Sequence, residues 1–327
     1  MALPLKTLFN KRQMAMTRAK LRAWWEGEAF DEAAVEAALT AANDGAPAGA
    51  DDALFDLPPY TPPPRLAALN VLWGAGRVRP GDDLADALEP ARIGAPEDGV
   101  VAVLGAGMAG PVQAFAGAFP GKLEAFEWRE ETVDALRQGV AAAGLSERVS
   151  VTRVDLEAHV WAANHFDGLW STDDFAYCSY PPHLAQQIMK CLKPGACAVL
   201  ESYTGLPSPE FNTAFASAFA EPQIRAHGDL LQVLKDVGLV VEADEDITDD
   251  FLSYARQSFL QLADKLGEAA KLDVAAAREL AWEAEAWRTR LKLLAQRRLE
   301  RRRIIVRKPV ETQPAAEANA NAPEASI

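Results

Sequence analysis

Cysteine is scarce. The 327-residue chain holds three, Cys178, Cys191 and Cys197, an odd number with no Cys-x-x-Cys spacing. That speaks against a disulfide framework and against a cysteine-rich metal site, and points to reduced, cytoplasmic thiols. No metal site is expected. Long apolar runs are also lacking: nothing approaches the ~20 residues needed to span a bilayer. Met1–Pro4 and Lys6 are not followed by an apolar stretch, so no secretory leader is expected. Basic surplus is missing too. Lys and Arg total 33 against 47 Asp and Glu, a formal net charge of −14. A nucleic-acid binder carries a basic footprint, so nucleic acid is not an expected partner. No internal repeat is visible.

What is present is a core-forming composition, 49% hydrophobic, and two basic ends. Residues 1–25 carry Lys6, Lys11, Arg12, Arg18, Lys20 and Arg22 with no acid, and residues 297–308 carry six arginines and Lys308 against Glu300 alone. Solvated helix faces are the simplest explanation; docking on an anionic membrane or on the chain's own acidic body are the others. Met14, Leu21 and Trp24 or Trp25 predict a helix over 10–26, which could lie on an anionic surface. A second helix is predicted at Asp31–Ala42. Residues 43–64 read as loop, and Gly74–Gly81 as turn chemistry after an apolar stretch at Arg65–Trp73.

From about residue 99 strands alternate with helices. Val100–Leu104 is a continuous apolar run, as for a strand buried on both faces. Strands are predicted at Leu123–Glu127, Val149–Val154, Phe166–Trp170, Ala196–Leu200, Leu239–Ala243 and Ile304–Val306. Between them lie helices at Pro111–Phe119, Glu130–Ala143, Pro181–Leu192 and Asp229–Val237, and a late helix marked by Leu280, Ala284, Trp287, Leu291 and Leu294. This order predicts an α/β, Rossmann-like, mostly parallel seven-stranded sheet with helices on both faces. The expected organisation is an N-terminal helical cap and lid segment over 1–98, a ligand-binding domain over 99–310 with a helical insertion at 248–300, and a disordered tail over 311–327.

The sharpest motif is Gly105-Ala106-Gly107-Met108-Ala109-Gly110, after a buried strand and before a helix. Glycine lets the backbone turn tightly and approach a ligand, and the helix N-terminus offers unpaired N–H groups. Glu127 ends the next strand, where a carboxylate can accept from both hydroxyls of an adenosine ribose. Flavin, nicotinamide and S-adenosylmethionine sites all fit these two features.

Further pieces separate them. Asp155-Leu156 follows the third strand, and Leu192-Lys193-Pro194-Gly195 precedes the fifth. VVAVLGAGMAG, LEAFEW, VTRVDLE, FDGLWSTDD, LKPGACAVLES and LLQVLKDVGLVVEADEDIT occur in order over residues 100–248. The set resembles the class I S-adenosylmethionine-dependent methyltransferases, of the small-molecule, ubiquinone-biosynthesis-like type. The resemblance implies S-adenosyl-L-methionine as cofactor and a small-molecule or lipid-like acceptor. It implies that Gly105, Ala106 and Gly107 pass the methionine moiety, and that Glu127 holds the ribose with Trp128 beside the adenine. Asp155 would accept from the adenine amino group under Leu156, and Ser171 and Thr172 would face the methyl end. Two departures stand out. Leu104 occupies the place of the usual acid before the glycines, and Ser171-Thr172-Asp173-Asp174 replaces the Pro-Pro motif of amine and amide methylases.

Asp173, Asp174, Tyr177 and His183 are the candidates for a general base, needed only if the acceptor loses a proton. Trp73 and Arg79 are the candidates for the acceptor side. Two other classes remain open: a flavin- or nicotinamide-dependent oxidoreductase, and a non-catalytic S-adenosylmethionine-binding module.

Overall fold

The computed structural model describes residues 63–205, 223–264 and 272–310, together with Ala33. The helix expected at 10–26, nearly all of that at 31–42, almost the whole loop at 43–64 and the tail at 311–327 lie outside the described residues. The chain divides into two compact units, Met1–Thr61 and Pro62–Ile327. The second therefore begins well before residue 99, and the pre-sheet segment 64–98 is part of the same unit as the sheet rather than of a separate cap.

Among residues 63–99, three short helices precede the sheet: α1 (Pro64–Trp73), α2 (Asp83–Asp86) and α3 (Glu89–Ile93). The alternating part follows as β1 (Val100–Leu104), α4 (Ala109–Ala118), β2 (Lys122–Glu127), α5 (Glu130–Ala142), β3 (Val149–Arg153) and β4 (Phe166–Thr172). Then come α6 (Asp174–Tyr177), α7 (Pro181–Cys191), β5 (Leu192–Gly205), α8 (His227–Asp236) and β6 (Val240–Asp246). The chain continues through α9 (Thr248–Asp264) and α10 (Val274–Ala295) and returns as β7 (Leu299–Arg307). The seven strands lie in the order β3-β2-β1-β4-β5-β7-β6. β1 to β5 run parallel, and β7 is antiparallel to both β5 and β6.

The apolar run of β1 is used on both faces, because successive side chains point to opposite sides. Ala102 and Leu104 join a core with α7 and α8, whereas Val101 and Val103 join one with α4 and α5. A third apolar cluster gathers α1, α9 and α10 with Tyr203 and Leu299. The helix stops follow from glycines free to adopt positive φ: Gly144 at 70° after α5 and Gly238 at 89° after α8.

β7 is longer than its apolar centre, Ile304–Val306, announces. It runs from Leu299 to Arg307, so the basic segment at 297–308 is a strand inserted between two neighbours. Its charges meet the chain's own acids. Arg302 pairs with Asp244 at 2.7 Å, Arg303 with Glu201 at 2.8 Å and Glu89 at 3.1 Å, and Arg307 with Glu242 at 2.5 Å. Docking on its own acidic body is therefore the outcome for this end. β5 likewise starts earlier than expected. It includes Leu192-Lys193-Pro194-Gly195, with the irregular register against β4 falling between Phe166 and Gly168, and Gly195 at φ 80°. No described helix is long and apolar enough to cross a membrane. All three cysteines are free and buried, and burial pushes the Cys178 thiol up to about 12, far from the thiolate a reactive cysteine needs.

Candidate active site at the sheet switch point

The chain leaves β1 toward β2 on one side, and later places β4 on the other. Open α/β sheets bind ligands at the carboxyl ends of strands at such a switch point. The glycine loop sits there. Gly105 and Gly107 have φ of 61° and 66°, a region side chains avoid. A Cβ on Gly105 would collide with the Thr172 carbonyl oxygen and lie 2.9 Å from Asp174 Oδ1; on Gly107 it would stand 2.7 Å from Val78 Cγ2. The loop is thus cradled by β4 beneath and covered by the pre-sheet segment. That segment is pinned in turn: Gly110 N–H donates to the Gly76 carbonyl at 2.9 Å, and Gly76 N–H to Asn70 Oδ1 at 2.7 Å.

Glu127, fully buried at the end of β2, is the loop's anchor. Its Oε2 accepts from Gly107 N–H at 2.5 Å. Arg129 occupies the rest of the carboxylate, donating from Nε to Oε1 at 2.7 Å and from Nη2 to Oε2 at 2.9 Å. Burial alone would raise the Glu127 pKa, but the Arg129 charge and these hydrogen bonds outweigh it, and the net shift is downward. Glu127 is therefore ionised and presented at the switch point. The Arg129 guanidinium lies 4.5 Å over the Trp128 ring. Sequence reasoning found Glu127 but missed Arg129, because an arginine two residues past a strand end carries no pattern of its own.

Asp155 and Leu156 line a hollow of about 480 Å³ together with Trp128 and Tyr177, whose rings approach to 4.8 Å. Asp155 Oδ1 accepts from Glu157 N–H at 2.9 Å, closing a local turn that fixes the carboxylate in place.

The end of β4 is polar and sealed. Thr172 Oγ1 donates to the Gly105 carbonyl at 3.1 Å, and Ser171 Oγ to Asp174 Oδ2 at 2.6 Å. Asp174 Oδ1 is buried and has no hydrogen-bond partner. It lies against the glycine loop, beside which the acid expected in place of Leu104 would also act. Burial pushes the Asp174 carboxyl up to about 7, more than the Ser171 hydrogen bond pulls it down. A buried acid with a raised pKa holds a proton that the unfolded chain has already lost. Its effect on stability is nil below the unfolded value near 4, grows unfavourable as pH rises to about 7, and is constant above. The stability of an Asp174→Asn variant relative to the parent should therefore rise between those limits, by at most about 4 kcal/mol. Urea unfolding of both proteins at about pH 4.5 and about pH 7.5, near the two ends of that window, checks this; equal differences at the two pH values would refute it.

Asp173 turns the corner in the left-handed region, φ 71°. The strained turn sends its carboxylate to Arg301 Nη1, which donates to Oδ1. Asp173 and Tyr177 both line a large cavity, about 670 Å³, which opens between α1, the β2–α5 junction and α10. Burial raises the Tyr177 pKa, so its phenol is neutral there. Asp174 is walled off from this cavity. His183 stands away from it on α7, its Nε2 3.2 Å from the His159 carbonyl. Arg79 lines the cavity. Trp73 does not reach it: its ring packs edge-on against Trp287 at 4.6 Å and Phe259 at 5.7 Å, one layer behind. Tyr203 and Arg290, which no sequence pattern marked, reach the cavity instead, together with Trp287 of the late helix's apolar face. α10 was expected to bury an apolar stripe, but the face it buries includes Glu283 and Arg290, because that face borders the cavity. Among the described residues no His, Cys, Asp and Glu cluster could hold a metal ion.

The strand order, with one antiparallel strand inserted before the edge, and the glycine loop at the switch point define a Rossmann-like α/β fold. Solved structures of that kind superpose on this chain. Phosphoethanolamine N-methyltransferase 2 of Haemonchus contortus, in complex with S-adenosyl-L-methionine, matches with a TM-score of 0.65 and 20% identity, covering 74% of this chain and 56% of that one. The chain thus spans little more than half the length of that enzyme. The [4+2]-cyclase SpnF matches at 0.61 and 19% identity, covering 75% and 93% of the two chains. Geranyl diphosphate C-methyltransferase of Streptomyces coelicolor A3(2), in complex with Mg2+, geranyl diphosphate and S-adenosyl-L-homocysteine, matches at 0.53 and 16%, covering 69% and 80%. No family model matches the sequence, and comparison with curated proteins found no match.

Proposed function

We infer that the protein transfers a methyl group from S-adenosyl-L-methionine to a small-molecule or lipid-like acceptor. The observation that carries this reading is the joint between loop and strand: Gly107 N–H on an ionised, buried Glu127 at the switch point. The residues fit the donor. Gly105 and Gly107 leave room where a Cβ would collide, Asp174 Oδ1 is a buried acceptor without a partner beside the loop, and Asp155 and Leu156 line an adjoining hollow. Glu127 would hold the ribose hydroxyls, Asp174 would face the methionine end with Ser171 and Thr172, and Trp128 would flank the adenine. The donor supplies a methyl group already activated on a sulfonium, so the protein's share is positioning and exclusion of water. Val78 over the loop and the aromatic walls of the large cavity serve both ends. Asp173, held by Arg301, and the neutral Tyr177 phenol are the polar groups that meet an acceptor there.

A second reading keeps the fold and changes the chemistry, since one structural neighbour is a cyclase. A dinucleotide oxidoreductase is disfavoured by the antiparallel β7, which the six-stranded parallel dinucleotide fold lacks. Calorimetric titration with S-adenosylmethionine and S-adenosylhomocysteine is the test, followed by a screen for transfer of labelled methyl to extracted small molecules and lipids. Micromolar binding with transfer is expected; binding without any transfer would favour the second reading, and no binding would remove the methyl-transfer reading.

A further inference from the structure

The large cavity has Glu130 and Glu131 at its exposed rim, and the charges deeper in its wall are mostly matched in pairs. Asp173 is taken by Arg301. Glu283 is taken by Arg290 at 3.2 Å, with Arg65 at 3.9 Å. Arg129 is matched by Glu127. Arg79 is left over. It is only 8% exposed, it lines both this cavity and an adjoining hollow, and it has no ion pair or hydrogen bond among the described residues. Of the acids of that hollow, Asp86 pairs with Arg77 at 2.6 Å, Glu89 with Arg92 at 2.7 Å and Glu201 with Arg303 at 2.8 Å, Asp82 caps α2, and Asp250 lines the hollow beside them. Asp86 acts on Arg79 only through space, beyond ion-pair distance, so the guanidinium donors remain available to a ligand. A planar fork of donors suits a carboxylate or a phosphate. The same cavity is walled by the rings of Trp128, Tyr177, Tyr203 and Trp287, which suit a flat or apolar body rather than a small hydrated ion.

We propose that the acceptor is an anion, carrying a carboxylate or phosphate group on an apolar body, and that Arg79 binds that group. Calling this ligand the acceptor rests on the methyl-transfer reading; the anion site itself does not. The probes are benzoate, phenyl phosphate and the neutral benzamide. Each is titrated by calorimetry into the full-length protein, with and without S-adenosylhomocysteine. At least one of the two anions should bind, and benzamide should bind at least about tenfold more weakly than it. Which anion binds better tells carboxylate from phosphate. Arg79→Gln should weaken anion binding about tenfold or more, whereas Arg79→Lys, which keeps the charge but not the fork, should lose less. S-adenosylhomocysteine affinity should be the same in all three proteins. Benzamide binding as well as the anions, no binding of either anion, or unchanged anion affinity in a folded Arg79→Gln protein would each overturn the proposal. Should that variant not fold, the comparison of anions with benzamide on the parent protein, together with Arg79→Lys, decides. A failure of S-adenosylhomocysteine to bind counts against the donor reading alone, because the anion titrations are also read without it.

Discussion

Replacing Arg301 by Ala should destabilise the protein by about 3–5 kcal/mol, the cost of stranding a buried charge by removing its partner. Arg301 is fully buried on β7. It donates to Asp173, approaches Glu201 at 3.5 Å, and lies 4.7 Å over the Tyr203 ring and 5.1 Å over that of Phe251. Its raised pKa follows from those partners: burial disfavours the charge, but Asp173, Tyr203 and Glu201 together outweigh it. Removing it leaves Asp173 buried without a cation, in a backbone conformation that already costs energy. Against a total stability of about 5–15 kcal/mol this is a large fraction. Urea unfolding gives the figure, and a loss below about 1 kcal/mol would show the charge to be solvated in a way the structure does not suggest. The double variant Arg301→Met with Asp173→Asn should recover part of the loss, since neither charge of the pair is then left without the other.

Glu127→Ala should weaken S-adenosylhomocysteine binding by about a hundredfold or more while leaving the protein folded. Hydrogen bonds to a charged group contribute about 1.5–3 kcal/mol each, and two ribose hydroxyls would be lost together. The loop also loses its anchor, because Gly107 N–H no longer has its acceptor at 2.5 Å. The fold survives since the freed Arg129 side chain, 26% exposed, can turn to water. Arg129 gives the experiment a second arm. It now fills the carboxylate that the ribose would need, so a ligand there must displace it. Arg129→Ala should therefore bind S-adenosylhomocysteine at least as tightly as the parent. Calorimetry on the two variants reads both effects, and equal affinity of Glu127→Ala and the parent would remove Glu127 from the donor site.

Much of this could be read from the chain because the chemistry concerned is local. A continuous apolar run, glycines at a strand end, an acid closing the next strand and a glycine after a helix each dictate a conformation over a few residues. Val100–Leu104, Gly105, Gly107, Glu127 and Gly144 are of this kind. The seven alternating segments likewise imply a mostly parallel sheet, since strands joined by a crossover helix usually pair in parallel; β7, antiparallel to both its neighbours, is the exception. The basic stretch at 297–308 shows where local pattern stops. Its charge suggested a surface, yet it is a strand between two others, because acids on β5, β6 and α3, more than fifty residues away in sequence, neutralise it.

Sequence alone, then, determined the order of elements, the glycine loop and the carboxylate beside it. Tertiary structure alone decided which polar groups are matched: Arg129 on Glu127, Arg301 on Asp173, and Arg79 without a direct hydrogen bond or ion pair among the described residues, in a cavity walled by rings from four distant elements. The reason is physical. Backbone preference is set by neighbours along the chain, whereas the worth of a charge is set by what surrounds it in space.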